Sequence, residues 1–325
     1  MARYPFDQQF QNAVKSFSRF EGETWDVLVD FHKVGKGPVF DWLAALDYPP
    51  ATVSRYINRL FSMSITDLFE LAKDDRLEAS PALLVLQTSS SKTVLRKAIQ
   101  LCSSKFAKER ALGVLTLMRK PGLTYRKEAV AAIQKMLPTE DSDTVIAALA
   151  YALRHLDVPD RSAFLIRAAQ SEFASTRFAA AYGLGELNDE FAIQTKISLS
   201  ADEDDDVRDW ATFGLQLGLV GDQTLREDIR DALYARVEDY YEDVRYEAIE
   251  GLARCRDARV IEPLIEALSQ PEVWDLAIEA AAAMADPALY PALVKLRTWW
   301  QDGSRPDRLD IAMACCAPKA GIESR

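Results

Sequence analysis

Residues Asp204–Asp222, DDDVRDWATFGLQLGLVGD, decide how the rest of the chain is read. Three aspartates lead into Val207-Arg208, small residues follow at Ala211 and Gly214, and Leu215 completes the pattern. Offsets of 0, 4 and 8 from Val207 lie on one face of an α-helix. The acidic run suits the amino end of that helix, where the backbone dipole favours negative charge. The predicted element is a capped helix whose buried face contains small residues, so that a neighbouring helix packs close against it.

The pattern recurs on both sides of this stretch. Anchor pairs fall at Asp75-Arg76, Ala107-Lys108, Val145-Ile146, Thr176-Arg177, Val207-Arg208, Val244-Arg245, Val273-Trp274 and Arg308-Leu309, spaced 29 to 38 residues apart. Four residues past each anchor comes a small or apolar residue, such as Ala111, Leu149, Ala180, Ala211, Ala248 and Ala277. Eight past it sits an aliphatic in most units, including Leu83, Leu153, Leu215 and Leu252. A second amphipathic segment precedes most anchors, as at Lys92–Cys102, Arg161–Gln170, Ala192–Leu199, Leu225–Leu233, Val260–Leu268 and Leu289–Leu296. One such helix pair leaves an apolar face uncovered. Stacking pair upon pair covers it, which is the logic of an α-solenoid.

The segments TRFAAAYGLGELND (176–189), DDDVRDWATFGLQLGLVGD (204–222) and EDVRYEAIEGLARCRDARVIEPLIEAL (242–268) resemble HEAT repeats, in particular the short bacterial HEAT-like type also found in phycobilin lyases. The resemblance covers about residues 64–316 and is strongest over 170–285. It implies an all-α fold, a right-handed α-solenoid of stacked antiparallel helix pairs, with the second helix of each pair lining the concave side. Residues 1–63 show no repeat register and read as an irregular helical cap or separate module, and 317–325 read as a disordered tail. The family includes scaffolds, adaptors, immunity-type inhibitors, lyases and a branch of DNA glycosylases, so the resemblance speaks to fold more than to function.

If the second helices line the groove, offsets 2, 3, 6 and 10 point into it. Those positions hold a row of rings, Tyr151, Phe178, Tyr182, Trp210, Phe213 and Tyr246, beside the acids Asp209, Glu247, Glu250, Asp275 and Glu279. These eleven residues are the expected partner-binding set. Aromatic side chains supply stiff contact area, and carboxylates select a basic partner. Arg177, Arg208 and Arg245 look like the family's ladder residues, bridging to capping acids such as Asp206 and Asp243.

Charge supports that expectation. The chain carries a formal net charge of −11, but residues 200–280 alone hold 22 Asp/Glu against 8 Lys/Arg. Residues 92–127 carry ten Lys/Arg against the single acid Glu109. The acidic half repels nucleic acid and attracts basic proteins; the basic segment is a candidate for phosphate contact or for an acidic protein surface.

Chemistry-bearing motifs are absent. The ADEDDD run (201–206) lacks the glycine and the terminal glutamate of a calcium loop, and VGKGP around Lys36 lacks phosphate-loop spacing. His32 and His155 have no metal-ligand neighbours at helical spacing, and the four cysteines show no metal pattern. No nucleophile–base pairing stands out. The reading is a non-enzymatic protein-binding scaffold or adaptor without a cofactor, of which a bacterial immunity or inhibitor protein is one form. Alternatives are a HEAT-like DNA glycosylase or other nucleic-acid binder, and a phycobilin-lyase-like chaperone. With neither a secretory leader nor a membrane-length apolar run, and with cysteines that read as reduced, the expected location is the cytoplasm.

Overall fold

A computed structural model describes residues 62–74, 81–118, 123–217, 226–300 and 307–318. The expected module over residues 1–63, apart from its last two residues, and the tail from residue 319 lie outside them. The described residues form sixteen α-helices. In the part of the chain ending at Gly183 these are α1 (Ile65–Asp74), α2 (Pro81–Thr88), α3 (Lys92–Leu101), α4 (Ala107–Leu117), α5 (Leu123–Met136), α6 (Asp143–His155), α7 (Arg161–Ala168) and most of α8 (Ala174–Leu184). From Leu184 onward come α9 (Glu190–Leu199), α10 (Asp205–Leu217), α11 (Glu227–Tyr234), α12 (Glu242–Arg254), α13 (Ile261–Ala267), α14 (Asp275–Met284), α15 (Tyr290–Leu296) and α16 (Arg308–Cys316). These two stretches are the chain's compact units.

Within each unit the layering is that of stacked helix pairs. The second helices run side by side, α2 on α4 and α4 on α6 in one unit, α10 on α12, α12 on α14 and α14 on α16 in the other. First helices pack on their own partners, as α3 on α4, α9 on α10, α11 on α12 and α15 on α16. The positions that set the repeat form the core: Val145, Leu149 and Leu153, Val207, Ala211 and Leu215, and Val244, Ala248 and Leu252 are all buried. Each large aliphatic so enclosed contributes roughly 1.5–3 kcal/mol. Close approach needs the small residues. A Cβ on Gly113 would lie 2.7 Å from the Ala98 carbonyl oxygen, so α3 and α4 meet there only because the side chain is missing.

Acidic side chains cap α9 and α10 as the sequence suggests, whereas α12, α14 and α16 begin without a side-chain cap bond. The Asp204 carboxylate accepts the Val207 N–H at 3.1 Å, and that of Asp189 accepts the Ala192 N–H at 3.0 Å. The 201–206 run is a cap: Asp202 in turn accepts the Asp204 N–H. Two non-glycine residues with left-handed backbone, Arg256 and Ala285, end α12 and α14 at equivalent points. The aspartates that follow them, Asp257 and Asp286, accept the N–H groups of Arg259 and Ala288 and start the next short 3-10 turns.

One arginine clasps the turn before each of four second helices. Arg110, Arg177, Arg208 and Arg245 each donate to the carbonyl oxygens five and six residues earlier, for example Asp202 and Glu203 for Arg208 at 2.9 and 3.2 Å. Arg110 and Arg208 also reach into the following repeat, where they form two-pronged bonds to Glu140 and Asp239. The ladder therefore exists, but its rungs differ from expectation: Arg208 pairs with Asp205 and Asp239, not Asp206, and Arg245 pairs with Glu242, not Asp243. The clasp also corrects one anchor. Arg110 occupies the arginine position, so the unit counted from Ala107-Lys108 begins two residues later, which places Gly113 at the small-residue offset.

Candidate functional site

The expected ring-bearing positions fall into two groups, one in each unit. In the unit ending at Gly183, Tyr151 of α6 lies against Phe178 and Tyr182 of α8, with ring centroids 6.2 and 5.6 Å apart. Tyr182 also shares a hydrogen bond of 3.3 Å with the His155 ring and lies under the Arg154 guanidinium. Arg154 donates to the Tyr182 carbonyl oxygen, and Arg126 donates to that of His155. All three rings are half-buried, so one side of the cluster meets solvent while the other is braced. His155 is thereby a member of an aromatic–cationic cluster instead of an isolated surface residue.

In the unit beginning at Leu184, Trp210 and Phe213 stand one turn apart on α10. They meet edge to face at a centroid distance of 5.8 Å and are both half-buried. The register explains the arrangement: Val207, Ala211 and Leu215 take the core face, which leaves offsets 3 and 6 at its margin. Such a pair offers a braced apolar surface with little conformational freedom left to lose on binding.

Four expected contact residues are corrected by their burial. Asp209, Tyr246, Glu247 and Glu250 are only 5%, 5%, 3% and 6% exposed and do not form an open groove wall. For Tyr246, Glu247 and Glu250 the physical reason is that α12 is flanked by α10 on one side and α14 on the other, so side chains from both neighbours close over positions that a single-helix projection leaves open. Tyr246 is a core ring stacked on Trp274 at 4.8 Å and 16°. Its phenol is pushed up by burial and by the Glu242 charge. Gln216 donates to both the backbone oxygen and the carboxylate of Glu247, and Glu250 accepts the Arg254 guanidinium at 3.0 Å. Asp275 and Glu279 are half-buried, and both pair with the buried Arg308 of α16. The acids expected to hold a basic partner at these positions are largely engaged by the chain's own cations and amides.

The basic segment is divided in the same way. Arg110 is committed to Glu140, while Lys92, Arg96, Lys105, Lys108, Arg126 and Lys127 are exposed. No group of three or more His, Cys, Asp or Glu side chains among the described residues is placed to hold a metal ion. Cys102 and Cys316 are buried free thiols, Cys102 pushed up to about 12 by burial. No described helix is long and apolar enough to cross a membrane.

Comparison with known proteins bears on the same repeats. The chain is 29% identical over 244 residues to protein YibA of Escherichia coli, an alignment spanning 73% of this chain and 86% of YibA. The X-ray structure of E. coli YibA superposes with a TM-score of 0.64 at 25% identity, covering 81% of this chain and 96% of that one. An engineered protein of known crystal structure shares the fold at a TM-score of 0.53 and 19% identity, over 95% of this chain and 88% of its own. The family model for HEAT repeats matches three overlapping stretches, residues 130–216, 198–285 and 229–314. These stretches run through more than half of the chain and share its small-residue anchors, turn-clasping arginines and side-by-side second helices: the chain belongs to the HEAT-repeat family.

Proposed function

We propose that this chain is a non-enzymatic, cytoplasmic protein-binding scaffold that holds a partner against the half-exposed rings of its second helices. The observation that carries the reading is the Trp210–Phe213 pair, an edge-to-face couple left at the margin of the core and open to solvent on one side. Aromatic residues of this kind dominate protein interfaces, at up to roughly 2–4 kcal/mol each when central. The Tyr151, Phe178 and Tyr182 cluster supplies a comparable face in the other unit. HEAT repeats as a family serve mainly in protein interaction, which supports the same direction. The excess of carboxylates over residues 200–280 favours a partner with a basic surface. An inhibitor of a basic toxin is one concrete form of that partnership, supported by charge alone.

The test begins with affinity purification from the native cell and identification of the protein that co-elutes. Binding of that purified protein is then compared between wild type and the Trp210→Ala/Phe213→Ala double variant. The expected result is a loss of affinity of at least about 100-fold with unchanged helix content. Full capture by the folded double variant would exclude this face as the site.

A further inference from the structure

Away from the ring face, the turns that open α12 and α14 enclose a cleft of about 1210 Å³, all within the unit beginning at Leu184. A space this large and open suits a stretch of polypeptide better than a small metabolite. Its lining carries six carboxylates against two guanidinium groups, and both cations are already engaged. Arg245 is held by two carbonyl oxygens and Glu242, and Arg259 by Asp231 and Asp257. The carboxylates of Glu238, Glu262, Glu266 and Glu272 have no cation or hydrogen-bond donor among the described residues, and all four are exposed. Glu262 and Glu266 lie one turn apart on α13, so they present adjacent charges on one side of the cleft.

Two tyrosine rings of this cleft already carry guanidinium groups of the chain itself. Tyr240 is 73% exposed yet pinned, because its hydroxyl donates to Asp205 and the Arg208 guanidinium lies over one face of its ring, 5.0 Å from the centroid. Tyr234 carries the Arg259 guanidinium at 4.9 Å while that same group bonds Asp231 and Asp257. The chain thus already contains, at the rim, a guanidinium stacked on a tyrosine and gripped by carboxylates. An exposed phenol ring with unpaired carboxylates nearby offers the same chemistry to an outside group, and the planar guanidinium meets it better than an ammonium does.

We propose that this cleft receives an extended, arginine-bearing segment of a partner protein. The proposal deepens the reading of the chain as a protein-binding scaffold by naming a second contact and its chemistry. Tyr240 stacks an incoming arginine, Glu262 and Glu266 pair with the same or the next cation, and the ring face on α10 is a separate contact.

The probe is a fluorescein-labelled, eight-residue peptide of alternating arginine and glycine, titrated by anisotropy against the full chain at low and at physiological salt. Its lysine counterpart is the comparison. The expected result is salt-sensitive binding, several-fold weaker for the lysine peptide. The Glu262→Gln/Glu266→Gln variant should weaken binding about tenfold, and Tyr240→Ala several-fold. Trp210→Ala/Phe213→Ala should leave peptide affinity within about twofold, because neither ring lines the cleft. Absence of binding by the wild type at low salt overturns the proposal. So does unchanged affinity in both the carboxamide and Tyr240 variants, each confirmed folded by circular dichroism. Binding lost only in the Trp210/Phe213 variant would overturn the cleft and leave the proposed scaffold standing; loss of capture of the native partner with intact peptide binding would support both contacts.

Discussion

Replacing Arg208 with alanine is expected to lower the stability of the unit that begins at Leu184 by about 3–5 kcal/mol. Arg208 and Asp239 each expose only 5% of their side chains and form a two-pronged bond at 2.9–3.0 Å. Removing the guanidinium strands a buried carboxylate and takes the donor from two turn carbonyls at once. Arg236, 3.6 Å from Asp239, offsets part of the loss and places the effect toward the lower end of that range. The same substitution at Arg245, whose carboxylate partner Glu242 is exposed, should cost only about 1 kcal/mol.

The acid limb of the stability profile gives this prediction a second readout. Burial alone would raise the Asp239 carboxyl, but bonds from Arg208 and the Tyr241 N–H outweigh it and hold the group below its ordinary value. A carboxyl depressed in the folded state contributes stability that is present above its unfolded value of about 3.9 and is lost as pH falls through the folded one. Denaturant midpoints of wild type and Arg208→Ala should therefore differ most above about pH 4 and converge below it. A gap that stayed constant down to pH 2 would show that the ion pair is not the source of the difference.

Tyr246→Ala should be equally damaging, at about 3–5 kcal/mol, and for a different reason. Its ring stacks on Trp274 and is 5% exposed between neighbouring second helices, so truncation leaves a cavity and an orphaned indole face. Trp210→Ala, at a half-buried ring on the margin of the core, should cost nearer 1 kcal/mol. Thermal or denaturant unfolding of the two variants side by side measures this directly. Equal destabilisation would mean that the two rings occupy the same kind of position, and the division between core and binding face would fail.

That division shows how far the sequence reaches. The helix pairs, the inward 0, 4 and 8 offsets and the acidic cap of α10 follow from local pattern, which depends on a single helix and is legible in Asp204, Val207, Ala211 and Leu215. Burial at Tyr246, Glu247 and Glu250 depends on what α10 and α14 bring alongside α12, and no projection of α12 alone contains it. The ladder was partly visible: the arginines stand out, but their partners Glu140 and Asp239 sit six residues before the equivalent position of the next unit. That spacing becomes a signal once Ser104, Ser171, Asp202 and Asp239 are aligned on the arginines instead of on the preceding apolar residue. The Tyr240 cleft had no sequence signature, because it is assembled from two successive inter-helix turns.

Hydroxyl-radical footprinting of the free, folded chain, read residue by residue by mass spectrometry, tests the repeat phase most directly. The expected order of labelling is Tyr240 first, Trp210 and Phe213 intermediate, and Tyr246 protected, following their exposure. Labelling of Tyr246 as fast as Tyr240, or protection of Trp210 equal to that of Tyr246, would contradict it.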